Sequence, residues 1–206
     1  SKTIAGNNIN IKSNSDTSFE GSSTVKALNN ISIASGGNSF FAGNVNAEAK
    51  KIQLKGNASA VIEGDATLIG SEYVNIESPG SILIKDNSRI SSYSKINAIA
   101  GEDVILSDRS SLGAHNSIKL NAGNNSIIDG GSIVSDAVSL YAGNNTTLLN
   151  NAYIFGNKSI ILNAQNDSII GDSYVATPGY IKLIASGSSL IQGMATLDIV
   201  GNLYLT

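Results

Sequence analysis

The sequence predicts an all-β fold, a right-handed three-sided parallel β-helix (a solenoid) of about ten coils of about 22 residues each. Three observations predict it. A short apolar-polar-apolar triplet recurs ten times at nearly constant spacing, a small residue follows each triplet at a fixed distance, and two further apolar segments separate successive triplets. We expect residues 1–206 to form a single β-helix domain, a segment of a longer β-helix.

The first strand of each coil is an alternating triplet whose outer two residues are apolar in every copy. The middle residue is polar in eight of the ten copies, and the exceptions are Ile161 and Tyr204. Alternation with a period of two indicates a strand that buries one face. Successive triplets start about 20 to 22 residues apart, a repeat length typical of a solenoid. Their first residues are Ile9, Ile31, Ile52, Val74, Ile96, Ile118, Val138, Ile160, Ile181 and Leu203.

The residue four places after each triplet start is small in every coil, as expected where identical tight corners stack on one another. A turn-forming residue usually follows it, such as Gly101, Gly123 or Gly143. The pattern therefore predicts a structural ladder of small, inward-facing corner residues. Its members are Ser13, Ser35, Gly56, Ser78, Ala100, Ala122, Ala142, Ala164 and Ala185.

Two more strands are predicted in each coil, so that each coil has three strands and three turns. The second strand is centred nine or ten places after each triplet start, at Phe19, Phe40, Val61, Leu83, Ile105, Ile127, Leu148, Ile169 and Leu190. The third is centred about sixteen places after it, at Leu68, Ile90, Leu112, Val134, Ile154, Val175 and Leu197, and in the first two coils around Val25 and Val45. Helical repeats are longer and follow the period of the α-helix instead. The right-handed sense rests on the general preference of parallel crossovers.

Composition restricts the classes of function. The net charge is −3 and 14% of residues are charged, so the sequence predicts no nucleic-acid partner. The absence of cysteine excludes disulfides and thiolate chemistry. With no Trp and few other aromatic residues, the core must be built from Ile, Leu, Val and Ala. No cofactor is predicted.

The sequence predicts no catalytic residue, no metal site and no enzymatic activity. His115 is the only histidine and falls in a predicted turn, without a cysteine or second histidine to share a metal. Coil length is nearly constant, which leaves no long loop to form the cleft of a polysaccharide-cleaving β-helix enzyme. Two charged pairs, Glu63 with Lys85 and Lys55 with Glu77, are expected to stack across adjacent coils.

Two tyrosines are the candidate contact residues. Tyr153 and Tyr174 occupy nearly the same point of neighbouring third strands, beside the inward residues Ile154 and Val175. We therefore expect both rings to face outward and to stack. Such a ladder either stiffens the sheet or binds a sugar ring. If the chain has a ligand surface, its candidates are Tyr153, Tyr174, Tyr141 and Phe155.

Three segments resemble the repeats of filamentous-haemagglutinin-type exoproteins. They are Ala-Gly-Asn-Asn-Ile-Asn-Ile at 5–11, Ala-Gly-Asn-Asn-Ser-Ile-Ile at 122–128 and Ala-Gly-Asn-Asn-Thr-Thr-Leu at 142–148. These long products of two-partner secretion include adhesins and the stalks of contact-dependent growth inhibition toxins. Their signature is an Ala-Gly-Asn/Asp turn between alternating strands. The resemblance covers nearly the whole chain, although coils one to four carry Lys, Glu or Pro where Ala-Gly-Asn is expected.

The resemblance implies a non-enzymatic structural or adhesive segment of a bacterial surface-exposed or secreted fibre, which spaces or displays binding regions. It implies an extracellular or cell-surface location and roles in cell adhesion and virulence. The implied partners are flanking coils or end-to-end copies of the chain, a host or bacterial surface glycan or protein receptor, and an outer-membrane transporter during export. The family's Asn-Pro-Asn secretion motifs and an Arg-Gly-Asp motif are absent, so no receptor-binding residue carries over.

Three other functions remain open at this point. The first is the passenger β-helix of an autotransporter, which has the same physical role and a different exporter. It is also compatible with an intracellular, bactofilin-like polymer, in which β-helix ends stack head to tail. A carbohydrate-active β-helix enzyme is the fourth alternative.

Overall fold

The computed structural model describes residues 1–206 and shows an all-β solenoid of about nine turns of about 22 residues. No helix in it has the length and apolar character that crossing a membrane requires. The first twelve strands are β1 (Lys2–Ala5), β2 (Asn8–Ser13), β3 (Thr17–Glu20), β4 (Ser23–Ala27), β5 (Asn30–Ser35), β6 (Ser39–Ala42), β7 (Val45–Gly56), β8 (Ala60–Glu63), β9 (Thr67–Ser78), β10 (Ile82–Ile84), β11 (Arg89–Ser92) and β12 (Lys95–Ala100).

The remaining thirteen strands continue the same pattern to the end of the chain. They are β13 (Val104–Ser107), β14 (Ser111–Ala114), β15 (Ser117–Ala122), β16 (Ser126–Asp129), β17 (Ser132–Ala142), β18 (Thr146–Leu149), β19 (Tyr153–Ala164), β20 (Ser168–Gly171), β21 (Tyr174–Thr177), β22 (Tyr180–Ala185), β23 (Ser189–Gln192), β24 (Thr196–Ile199) and β25 (Leu203–Leu205).

Every strand pairs in parallel with the equivalent strand of the next coil, and this confirms the predicted parallel solenoid. Among the first strands, Ile9 pairs with Ile31 and the series continues to Ile181 with Leu203. The intervening pairs, such as Ile96 with Ile118, join the same positions of successive triplets. We number the coils one to ten by these first strands. Equivalent strands lie about 4.8 Å apart along the axis.

The strands form two hydrogen-bonded sheets, although each coil has three strand positions. One sheet of nine strands contains the second strand of each coil. The other, of sixteen strands, contains the first and third strands together. They share a sheet because β7, β9, β17 and β19 run without interruption from the third strand of one coil into the first strand of the next. The faces formed by the first, second and third strands are called here the first, second and third face.

The inward side chains of all three faces form one core. Its hydrophobic cluster extends from Ile9 to Leu183, and almost all of it is Ile, Leu, Val and Ala. Phe41 is the one buried aromatic residue in this cluster, and its ring stacks on that of Phe19 with centroids 4.9 Å apart. Each coil buries its side chains mainly against its two neighbours, as expected of a solenoid.

Most predicted centres of the second strand lie on the outer side of the sheet. Only Phe19 and Leu148 face the core. In coils two and three the residues that face the core are Phe41, not Phe40, and the fully buried Ile62, not Val61. The sequence does not distinguish the faces because these strands are apolar on both sides. The outward row comprises Phe40, Val61, Leu83, Ile105, Ile127, Thr147, Ile169 and Leu190.

Val134, a predicted centre of a third strand, also lies on the outer side of its sheet. Its neighbour Ile133 pairs with Leu112 and is fully buried, while Val134 is 44% exposed. The coil that begins at Ile118 is shorter than its neighbours, and one of the missing residues lies between its second and third strands. The distance of sixteen residues from the triplet start, which holds in the longer coils, therefore falls one residue beyond the inward-facing position in this coil.

Candidate functional site

The small corner residues stack in register, one coil on the next. Ser13 pairs with Ser35 and Ala100 pairs with Ala122, and the column continues through Ala142 and Ala164 to Ala185. The interior members of the column are buried, and the two end members, Ser13 and Ala185, are half-buried. The column lies where the first strand turns towards the second, and its short side chains let the backbone turn inward.

The glycines that follow the small residues lie against the backbone of the preceding coil. A Cβ atom placed on Gly123 would lie 2.0 Å from the carbonyl oxygen of Gly101. A Cβ on Gly143 would approach Gly123 equally closely. At Gly123 and Gly143 the lack of a side chain therefore matters because of the space available, not because of an unusual φ angle.

A second ladder in the same corner is one that the sequence analysis missed. The residue seven places after each triplet start is a short polar one whose side chain accepts a hydrogen bond from the backbone N–H of its equivalent in the next coil. The donor-acceptor distance is 2.9 Å from Asn125 N to Asp103 Oδ1 and 3.0 Å from Asp167 N to Asn145 Oδ1. Bonds of this kind are found at seven of the eight steps. We call this set, which also contains three serines, the Asn/Asp ladder; it comprises Asp16, Asn38, Ser59, Ser81, Asp103, Asn125, Asn145, Asp167 and Ser188.

The corner between the second and third strands has its own fixed residue, twelve places after each triplet start. Its φ angle is positive in every coil, for example +62° at Asp86 and +73° at Gly64. Only Gly, Asn and Asp occupy it, which are the residues that tolerate the left-handed region best. They are Gly21, Gly43, Gly64, Asp86, Asp108, Gly130, Asn150, Asp172 and Gly193.

Charged side chains pair between neighbouring coils at four places. Lys85 Nζ lies 2.8 Å from Glu63 Oε2, as the sequence predicts. Lys55 and Glu77 are neighbours in the register but form no ion pair. Exposed pairs of this kind contribute little to stability, because water and salt screen the charges. The four pairs are Lys26–Glu48, Lys51–Glu72, Glu63–Lys85 and Asp136–Lys158.

The two candidate tyrosines stack on the third face. The rings of Tyr153 and Tyr174 are 5.5 Å apart and within 2° of parallel, and both side chains are more than one-third exposed. The Tyr174 hydroxyl donates a hydrogen bond of 3.2 Å to Asp198 Oδ2, and this bond raises the pKa of Tyr174 above its ordinary value. Phe155 lies two residues along the same strand as Tyr153, on the same outer side, and is half-buried.

Tyr141 lies elsewhere. It is on the first face, where it pairs with Asn163, and the Lys119 ammonium group lies 4.9 Å from its ring centroid. The structure therefore brings together three of the four candidate contact residues, and Tyr141 belongs to a separate cation–π contact.

His115 is an exposed residue just after the end of its third strand. Its ring stacks on that of Tyr93 in the preceding coil, with centroids 5.4 Å apart. Asp136 is the equivalent residue one coil further along, and the Lys158 ammonium 2.6 Å away holds the pKa of Asp136 below its usual value. Asn157 and the charge of His115 act in the same direction.

The carboxylates of the chain are spread along the solenoid rather than gathered at one point. Several of them accept backbone or side-chain hydrogen bonds in the corners, as Asp103 and Asp86 do. No three His, Asp or Glu side chains lie close enough together to hold a metal ion. The chain matches no protein-family model, no curated protein and no solved structure.

Proposed function

We propose that the chain is a non-enzymatic structural segment of a bacterial surface-exposed or secreted fibre, where it spaces or displays binding regions. The observation that carries this proposal is the unbroken register, in which ten first strands follow one another at nearly constant shifts. Each coil adds about 4.8 Å of length and repeats the same contacts. A rod of this kind can hold the binding regions that it spaces at a fixed distance.

The side chains of the corners support a structural role. The Asn/Asp ladder and the positive-φ residues occupy two of the corners of every complete coil. In this chain those corners are short, and their carboxylates are hydrogen-bonded to neighbouring coils, as at Asp16 and Asp167. The corners thus hold neighbouring coils together, which supports a structural role.

The cellular setting of the proposal comes from the resemblance to two-partner-secretion exoproteins. A cysteine-free chain of nearly identical coils can cross an outer membrane unfolded and wind up coil by coil outside. An outer-membrane transporter would then be the partner during export. A passenger β-helix of an autotransporter would perform the same mechanical task.

An antibody raised against residues 1–206 tests the surface location directly. We expect it to label intact cells of the source bacterium, and protease added outside those cells to remove the signal. Labelling confined to permeabilised cells would contradict the proposal. Electron microscopy of the purified chain provides a second test, because regular filaments built from this chain alone would favour a bactofilin-like polymer instead.

A further inference from the structure

On the third face the outward side chains between coils four and seven are mostly short, and we call this stretch, from Arg89 to Tyr153, the depression. Arg89, Ser111, Ser132 and Tyr153 are consecutive partners in the register, so one long cationic side chain and one aromatic ring are separated by two serines. Three inter-coil steps, or about 14 Å, separate Arg89 from Tyr153. The depression is therefore as long as a short oligosaccharide.

The floor of the depression is made of small residues. Beside the serines, the outward row continues through Ser91 and Gly113 to Val134. A Cβ atom added to Gly113 would meet no other atom within 4 Å, so the space above it is open. Val134 is 44% exposed and adjoins Phe155. The floor thus offers serine hydroxyls in coils four to six and an apolar patch next to Tyr153.

One wall of the depression is an aromatic surface with a free side. Tyr174 covers one side of the Tyr153 ring at 5.5 Å. On the other side the neighbour in the register is Ser132, which is too short to cover a phenol ring. The apolar C–H face of a pyranose ring packs on such a surface, and the sugar hydroxyls then reach the serines. Tyr174 supports the ring from behind.

Both arginines of the chain lie near this stretch in the sequence or the register. Arg89 closes the end opposite Tyr153, and Arg109 precedes the floor residue Ser111 by two positions. None of the four ion pairs of the chain involves an arginine. The nearby carboxylates of Asp86 and Asp108 accept hydrogen bonds from Gly64 N and Asp86 N, respectively. Guanidinium groups bind carboxylates through paired hydrogen bonds.

We propose that this depression binds a carboxylate-bearing oligosaccharide, with one sugar ring stacked on Tyr153 and a carboxylate bound to Arg89. The Tyr93–His115 stack limits the depression on the side towards the first face, about 13 Å from Ser111 along the strand. This proposed binding site is independent of the proposed spacer role. The purified chain alone is enough to test it.

The first experiment applies the purified chain to an array of neutral and carboxylate-bearing oligosaccharides. We expect binding to be confined to the carboxylate-bearing members and to weaken as salt concentration rises. No binding at all, or equal binding to neutral and acidic members, would overturn the proposal.

The second experiment measures the affinity of variants for the tightest-binding member of that array. Tyr153→Ala and Arg89→Gln are each expected to weaken binding by about tenfold or more, which corresponds to about 1.4 kcal/mol. Gly113→Phe should abolish binding by filling the open space above the floor while the chain remains folded. Tyr141→Ala, on the first face, is the matched control and should bind like the natural chain.

Thermal unfolding of each variant separates loss of the site from loss of the fold. A folded Gly113→Phe chain that still binds, or a Tyr153→Ala chain with unchanged affinity, would overturn the assignment. An equal loss in Tyr141→Ala would also overturn it, because the effect would then not belong to the third face.

Discussion

The backbone N–H of Asn125 donates a hydrogen bond of 2.9 Å to the side chain of Asp103, which holds the equivalent place one coil earlier. The side-chain amides of Asn124 and Asn125 donate to the same oxygen. One short side chain therefore satisfies a backbone donor that the turn would otherwise leave without a partner. The same relationship recurs along the corner and fixes the register of each coil on the previous one.

We predict that Asp103→Ala destabilises the chain by about 1–3 kcal/mol, because three donors lose their acceptor. Asp103→Asn retains an oxygen at the same position and should preserve most of the stability. Urea unfolding of both variants checks this. If Asp103→Ala were as stable as the natural chain, the ladder would have no energetic role.

The corner glycines allow a test of close packing between coils. Gly123→Ala places a Cβ 2.0 Å from the Gly101 carbonyl oxygen, so the coils must move apart, at a cost of about 1–3 kcal/mol. Gly113→Ala, whose added methyl group meets nothing within 4 Å, is the matched control and should change stability by less than about 0.5 kcal/mol. Urea midpoints that ranked the two variants in the opposite order would show that the corner is not tightly packed.

Acid should remove the contribution of Asp136 to the stability of the folded chain. Its folded-state pKa is lowered by Lys158, so its stabilising effect is present above the unfolded-state pKa of Asp and is lost as the pH falls through the folded-state value, below about 4. The difference in melting temperature between the natural chain and Asp136→Asn should therefore shrink as the solution is acidified. A difference that stays constant down to low pH would contradict this prediction.

The Tyr174–Asp198 hydrogen bond acts at the other end of the pH scale. It raises the pKa of Tyr174, so its stabilising effect is present below the ordinary tyrosine pKa and is lost as the pH rises through the folded-state value. Asp198→Asn should lower the pKa of Tyr174. Tyrosinate absorbance followed against pH measures it, with Tyr174→Phe identifying the signal. An unchanged titration in Asp198→Asn would show that Asp198 does not control this phenol.

Much of the fold could be predicted because the outer two residues of the first-strand triplets are apolar in every coil. Aligning triplets such as Ile96–Ala98 and Ile118–Leu120 is enough to predict the register between coils. The side chains of the second strand that face the core could not be predicted. Val61 and Ile62 are both apolar, and the geometry of the preceding corner determines which of them points inward. The Asn/Asp ladder was missed, although its constant distance from each triplet start is visible in the sequence.

The candidate site was predicted only in part. The Tyr153–Tyr174 stack follows from the spacing of neighbouring third strands. The depression beside it was not predicted. It is defined by the difference in size between the Tyr153 side chain and the small residues at the equivalent positions of the two preceding coils, and by the position of Arg89. Tyr141 is close in sequence but lies on another face, because β17 passes a corner before reaching it.

The distance between two spin labels tests the continuous rod most directly. Since the chain contains no cysteine, Ser32→Cys and Lys182→Cys place labels selectively on the outer side of the first face in coils two and nine. Seven inter-coil steps predict a narrow distribution near about 34 Å, and the pair Ser32→Cys with Ser139→Cys should give about 24 Å. A broad distribution, or distances that do not grow with the number of coils, would contradict an uninterrupted solenoid.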